Sequence, residues 1–547
     1  MKNTLQKILL AACSGTLLVA SWPMNGFPAL AFLAWSPLMH LLENGHQSGW
    51  KRPFLHAMGW SFVALLIWNA GTTWWLFYAS IPGAIAAILL NSVFMSLIIG
   101  VAHTVRAQFN LRKGLMAWVA LWIGWEYVHL RWDLSWPWLT LGHVFSENPE
   151  WVQWYEYTGV LGGSTWVLGL NVAVYYAIRK WSRWGAIGRS SAVLGVIGAG
   201  IGLPLWFSSF LFQVDAQRDA ALAPSERATF SVTQPNIDPY TEKFNINNAN
   251  SAQNLLFLIR DILDDHPDFV LIPETALPNG FDETQWDTEV ALKILASSHR
   301  KRQPETELVV GATTYLRYPT HAAPPLSARA LPNNSGWYDV FNTAFHQRRD
   351  SVLQYYHKSK LVVGVEMTPF QRVIKPVLGE VLIDLGGTSS SLGMQAERSV
   401  FTHANGRVAV APIICYESIY GEYASGYVQN GANVFGVITN DGWWSDSPGH
   451  RQHFSLARLM AISHRRAIAR SANTGISGFI SPRGVVLETL PYNTRGALSR
   501  QLPLRTEISW YAIYGDVLGR LFGWMGIFFL LYARVQRIRN PKPSRVK

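Results

Sequence analysis

The stretch Ala411–Gly421, APIICYESIYG, decides how the rest of the chain is read. Val408–Ile414 has the composition of a short buried strand, and Cys415 follows it directly. The chain has 547 residues and only 2 cysteines, and the other, Cys13, lies in an apolar N-terminal run. No disulfide framework is therefore expected. Cys415 is either a small buried hydrophobe or a reactive thiol.

Around this strand the pattern alternates. Ala228–Val232, Phe269–Ile272, Leu308–Val310, Val408–Cys415, Val434–Thr439 and Gly475–Ile480 read as strands. Tyr338–Arg348 with Ser351–His357 reads as a hairpin. Ala252–Leu263, Val290–His299, Glu422–Asn430 and a long stretch His453–Ser471 read as helices. Strands alternating with helices predict an α/β domain over 214–510.

Three polar groups stand at or just beyond strand ends: Glu274 after Phe269–Pro273, Lys358 after His357, and Cys415 after Ile414. In open α/β sheets, strand ends gather side chains around one crevice. A carboxylate, an ammonium and a thiol meeting there form a coherent chemical set. Glu274 can take the thiol proton, and Lys358 can lower the thiol pKa and stabilise an oxyanion. The backbone N–H of Tyr416 can be a second oxyanion donor. Attack on an ester or amide would leave a thioester. Strand-end Glu and Lys also pair for structural reasons alone, so spacing by itself leaves both readings open.

The remainder of the chain is apolar. Charged residues make up 15 % of the sequence, against about 25 % in soluble chains. A bilayer core takes about 20 apolar residues per helix. On that measure the expected spans are about 8–22, 27–42, two within 53–105, 114–130, 159–178, 190–213 and 514–533, about eight in all. Lys and Arg cluster in alternate connections: Lys51 and Arg52; Arg106, Arg112 and Lys113; Arg179–Arg189; and the tail after Arg534. The positive-inside rule then places the N-terminus and tail in the cytoplasm and 214–510 outside it. The net charge of +11 is thus a topology signal, and no nucleic-acid-binding motif accompanies it. Gly195–Gly202 imitates a nucleotide loop, but inside a span it reads as small-residue helix packing. Glu126, near a span end, reads equally as functional or as an interfacial partner of Arg131 and Asp133.

The motifs Pro273-Glu274-Thr275-Ala276, Tyr356-His357-Lys358, Cys415-Tyr416-Glu417 and Thr439-Asn440-Asp441-Gly442-Trp443 resemble those of the carbon–nitrogen hydrolase (nitrilase) superfamily. With about eight spans around them, the chain is similar to the bacterial apolipoprotein N-acyltransferases. Trp136-Pro137-Trp138-Leu139, Tyr157-Thr158-Gly159-Val160, Gln452-His453 and Asn473–Ser477 add to that likeness. The resemblance implies an αββα sandwich with Glu274 as general base, Lys358 as oxyanion lysine and Cys415 as nucleophile. Glu366, Tyr416 and Glu417 match further residues on which such activity depends.

The implied reaction takes an acyl chain from a phospholipid, typically phosphatidylethanolamine, onto cysteine. It then passes the chain to the α-amino group of a diacylglyceryl-cysteine apolipoprotein, at the periplasmic face of the inner membrane. No metal, nucleotide or other cofactor is implied. The expected organisation is a transmembrane domain over 1–213, a periplasmic catalytic domain over 214–510, and a final span with a basic tail over 511–547. The chain departs from the family pattern at Leu361–Glu366, at Phe244 and at Trp443-Trp444-Ser445. Two other readings are a membrane-anchored amidase, which would need only one span, and a transporter or sensor, which would place charges at mid-membrane.

Overall fold

The computed structural model describes residues 4–243, 245–299, 303–372 and 391–539. Phe244 lies outside them. The chain divides into two compact units, one of 1–77, 81–211 and 516–547, the other of 78–80 and 212–515.

In the first unit, apolar sequence becomes long helices. Among the described residues six are long and apolar enough to cross a membrane: Thr4–Ser21, Pro53–Thr73, Ile81–Arg106, Val160–Arg183, Ala186–Ala221 and Val517–Arg539. Two of the about eight expected spans are not among them. The stretch 27–42 is broken into Pro28–Leu30, Ala31–Ala34 and Ser36–Gln47. Proline opens both the first and the last of these pieces, where its missing N–H costs least. The Asn171 side chain serves the groups around the break, accepting from the Trp35 N–H at 2.9 Å and donating to the Ala31 carbonyl at 2.7 Å. Irregular backbone at membrane depth needs partners of this kind. The other helix, Leu111–His129, carries Arg112, Lys113 and Glu126 within its 19 residues.

The buried Glu126 is held through one of its two carboxylate oxygens. Glu126 accepts from the Trp122 indole at 3.0 Å and the Leu141 N–H at 2.9 Å. It is a structural bracket for the 137–145 segment. Arg131 pairs with Asp516 at 2.8 Å, not with Glu126. Gly195–Gly202 is a wide helical turn within Ala186–Ala221. Only some of its glycines meet a neighbour: a Cβ on Gly200 would lie 2.6 Å from Leu170, while Gly195 and Gly198 face open space.

The second unit holds two sheets. The first has the order β13-β1-β2-β3-β5-β4, with β6 on β5: β1 Arg227–Gln234, β2 Phe269–Asp282, β3 Glu307–Tyr318, β4 Arg329–Ala330, β5 Trp337–Arg348, β6 Ser351–His357 and β13 Gly496–Pro503. The second runs β12-β11-β10-β9-β8-β7: β7 Phe401–Thr402, β8 Ala409–Ile414, β9 Val434–Thr439, β10 Ala467–Ala472, β11 Ser477–Ile480 and β12 Val486–Leu490. β1–β2–β3 and β8–β9–β10 are the parallel centres. β1 contacts β10, and β2 contacts β9 and β10, across the interior. Helices Asn248–Ile262 and Val290–His299 pack apolar residues against the first sheet, with Leu255, Ile259 and Leu295 among Val270, Ile272 and Val310.

The expected helix His453–Ser471 is a correction. The helix is Pro448–His464 and stops where Arg465 turns left-handed at φ +50°. Ala467–Ala472 then forms β10, wholly buried beside β9. Its Ala-rich composition favours a helix locally, but pairing and burial on both faces override that preference.

Candidate active site

The site is assembled where strand regularity fails. β2 and β3 pair in register up to Ile272 and Val310, then shift before Leu277. The irregular segment carries Glu274, and Thr275 within it adopts φ +48°. Such bulges re-aim side chains at sheet ends. On β3, Gly311 permits the approach, since a Cβ there would lie 2.2 Å from the Pro273 carbonyl. At the end of β8, Cys415 itself adopts φ +52° as a short 3₁₀ turn begins. A left-handed non-glycine residue is uncommon and is held only by its surroundings.

Glu274 is buried and fully engaged. One oxygen accepts from Asn342 Nδ2 at 2.7 Å and Lys358 Nζ at 3.1 Å, and the other from the Asn440 N–H at 3.0 Å. Lys358 also donates to Glu366 Oε1 at 2.8 Å. Glu366 accepts from the Val362 N–H at 2.8 Å, so it closes its own loop while it holds the lysine. Burial alone would raise the Glu274 pKa, but Lys358, Lys243 and the Asn342 bond bring it below the usual carboxylate value. Lys358 stays protonated far above neutral pH: burial opposes its charge, and Glu274, Glu366 and Cys415 outweigh that.

The thiol is different from the expectation. Burial first, and then the Glu274 charge, push the Cys415 pKa up, while Lys358 only partly offsets them. Cys415 at rest is therefore a thiol beside an ionised carboxylate, and not a preformed thiolate.

Glu417 reaches neither Glu274 nor Lys358. It accepts from the Tyr356 hydroxyl at 2.6 Å, the Ser359 N–H at 2.7 Å, the Lys360 N–H at 3.2 Å and the Ile414 N–H at 2.8 Å. One carboxylate thus ties the end of β8 to the segment that carries Lys358. The Tyr416 ring is buried edge-on against Tyr420 at 5.3 Å.

Several residues were not singled out as part of the site. Asp441 and His453, each within a motif that carries the family likeness, form with Arg470 a buried cluster behind Cys415. Arg470 donates to Asp441 at 2.7 Å, and His453 Nδ1 lies 2.9 Å from the same carboxylate. His453 Nε2 is 3.2 Å from the Cys415 carbonyl and 3.0 Å from Ser418 Oγ. The Cys415, Asp441 and His453 ligand atoms lie within 4.8 Å of one another. Asp441 already pairs with Arg470, however, and both imidazole nitrogens have partners, so the set is occupied by its own contacts. Lys243, from the loop after β1, is also buried here. It donates to the Glu274 carbonyl at 3.5 Å and to the Thr275 hydroxyl. A lone lysine in a polar loop gives no periodic or motif signal. His453 was legible only as part of a motif.

Comparison with known proteins agrees with this architecture. Residues 14–173 match the apolipoprotein N-acyltransferase N-terminal domain, and residues 238–512, half of the chain, match the carbon–nitrogen hydrolase family. The apolipoprotein N-acyltransferase of Chlorobaculum tepidum is 28% identical over 95% of both chains. That of Geobacter metallireducens is 27% identical over 94% of this chain and 92% of its own. That of Haemophilus influenzae is 22% identical over 97% and 95%. Among solved structures, an amidase from Nesterenkonia sp. aligns with 14% identity over 56% of this chain and 98% of its own, at a TM-score of 0.35. The family model over residues 238–512 and the membrane-length helices define the class, a membrane-bound carbon–nitrogen hydrolase. The chain belongs to the bacterial apolipoprotein N-acyltransferase family of that class.

Proposed function

We propose that the protein transfers an acyl chain from a phospholipid, through a Cys415 thioester, to the α-amino group of diacylglyceryl-cysteine in apolipoproteins. The observation that carries this reading is the convergence of Glu274 and Lys358 on the electrostatics of one buried thiol. Family membership and the six membrane-length helices support it.

In the first half-reaction the Cys415 proton moves to Glu274 as Sγ attacks the ester carbonyl. The developing oxyanion is met by the Lys358 ammonium and the Tyr416 N–H. The C–O bond breaks, and Glu274 returns the proton to the departing lysophospholipid alkoxide. In the second half the substrate amine attacks the thioester, Glu274 accepts the amine proton, and Cys415 leaves and is reprotonated. Glu366 holds Lys358 in place, and Glu417 holds the strand end and lysine segment together. A raised thiol pKa suits this sequence, because deprotonation and attack are coupled and an idle site stays unreactive.

The organisation that fits is a transmembrane domain over 1–213, an αββα catalytic domain over 214–510 on the periplasmic side, and a last span over 511–547. In that arrangement the broken 27–42 segment and Leu111–His129 complete about eight crossings of the inner membrane. Phosphatidylethanolamine is the proposed donor.

The test is intact-mass measurement of the purified protein after incubation with phosphatidylethanolamine vesicles. A gain of one acyl chain, removed by hydroxylamine and absent from Cys415→Ala, is expected. A diacylglyceryl peptide should then clear it. An adduct that persists in Cys415→Ala would overturn the assignment, and release of free fatty acid without transfer to peptide would make the protein a hydrolase.

A further inference from the structure

Lys358 is a single cation held between two carboxylates, 3.1 Å from Glu274 and 2.8 Å from Glu366. Taken alone, that trio carries one surplus negative charge beside the thiol. A thiolate would form there against repulsion. A second ammonium enters the site from the loop after β1. Lys243 is buried, with 5% of its surface exposed. Its Nζ reaches the Glu274 carbonyl and the Thr275 hydroxyl, at the left-handed turn of the irregular β2 segment. Among the described residues it donates to no carboxylate oxygen, so its charge is not consumed by a close ion pair.

We propose that Lys243 is a further electrostatic and positioning residue for the reaction of Cys415: its ammonium cancels the surplus carboxylate charge around Lys358 and anchors the Glu274–Thr275 turn. This rests on Cys415 being the nucleophile. With Lys243 charged, the groups Lys243, Lys358, Glu274, Glu366 and Cys415 sum to neutrality. Moving the proton from Sγ to the Glu274 carboxylate leaves that sum unchanged. Without Lys243, the same transfer takes place in a site with net negative charge. Burial lowers the Lys243 pKa to about 8, with Lys358 adding to the effect and Glu274 and Cys415 opposing it. The cation is therefore present at neutral pH and is lost as the pH rises through about 8.

The test is the rate of Cys415 alkylation by iodoacetamide, measured against pH on the full-length protein in detergent. Cys13 is exposed and would be alkylated too, so all variants carry Cys13→Ala. Lys243→Gln keeps a donor to the Glu274 carbonyl but removes the charge. It should be alkylated about tenfold more slowly than the parent near neutral pH, the scale of one nearby charge at a buried thiol. Lys243→Arg should react within a few-fold of the parent and keep its rate above the pH where the parent's cation is lost. If Lys243→Gln matches the parent, the hydrogen bond and not the charge is what matters, and the proposal fails. If Lys243→Arg is as slow as Lys243→Gln, the lysine acts only through packing, and it fails likewise. Alkylation reads the thiol itself, so a failure of acyl transfer to lipoprotein would leave this result interpretable.

Discussion

Two charged clusters flank Cys415, and they are built on opposite principles. Asp441, His453 and Arg470 are sealed, with side-chain exposures of 0%. Arg470 and the His453 ring hold the Asp441 carboxyl well below the usual carboxylate range, although burial opposes them. Glu274, Lys358, Glu366 and Lys243 form the other cluster, where Glu366 is 16% exposed and Lys243 sits near the pH at which it loses its proton. The first cluster keeps Asp441 ionised at neutral pH and touches the backbone of Cys415 through His453. In the proposed mechanism the second exchanges a proton with the thiol. Position and chemistry are thus divided between the two sides of one residue.

The largest effect should come from the chemical side. Glu274→Gln keeps an oxygen for the Asn440 N–H but loses the base and turns an amide toward Asn342 and Lys358, so the acyl-transfer rate should fall about 10²–10⁴-fold and the thermal midpoint should fall as well. A lowered thermal midpoint with an unchanged transfer rate would show that Glu274 is structural alone. Next is the sealed side. Arg470→Met leaves Asp441 a buried, poorly compensated charge, which typically costs about 3–5 kcal/mol. Thermal unfolding should register that loss even in preparations that retain some activity. If Arg470→Met is as stable as the parent but inactive, the division between the clusters is wrong.

A pH series sharpens the same contrast. The folded-state pKa of Asp441 is depressed, so its contribution to stability is full above the ordinary carboxylate value. It is lost as the pH falls below that value toward the native one. Asp441→Asn should be less stable at neutral pH and show a shallower acid dependence than the parent, as read by thermal midpoints from pH 7 downward. The smallest effect is expected at Glu417, which does no chemistry in this scheme. Glu417→Gln faces an amide to one of its backbone donors and should cost about 1–3 kcal/mol. It should slow transfer through a loosened β8 end without changing the pH profile. A shifted profile would place Glu417 among the proton-exchanging groups.

Much of this division was readable locally. Strand composition located β8 and β9, hairpin spacing located β5 and β6, and the residues Glu274, Lys358 and Cys415 stood out because each follows such a strand. Apolar length located the membrane helices. The second span is not one long helix, because Pro28, Pro37 and the distant Asn171 stabilise a break that hydropathy does not see. β10 was hidden because Ala467–Ala472 becomes a strand only when β9 lies beside it.

The sequence by itself determined the class of fold, the membrane-embedded character and the three residues of the proposed chemistry, since each is encoded in short-range pattern or motif. Only the tertiary structure decided the charge state of the site. Lys243 meets Glu274 from a loop 31 residues away, and Arg470 meets Asp441 across 29. Burial then sets which of these groups can change protonation, and burial is a property of the packed chain, not of any segment of it.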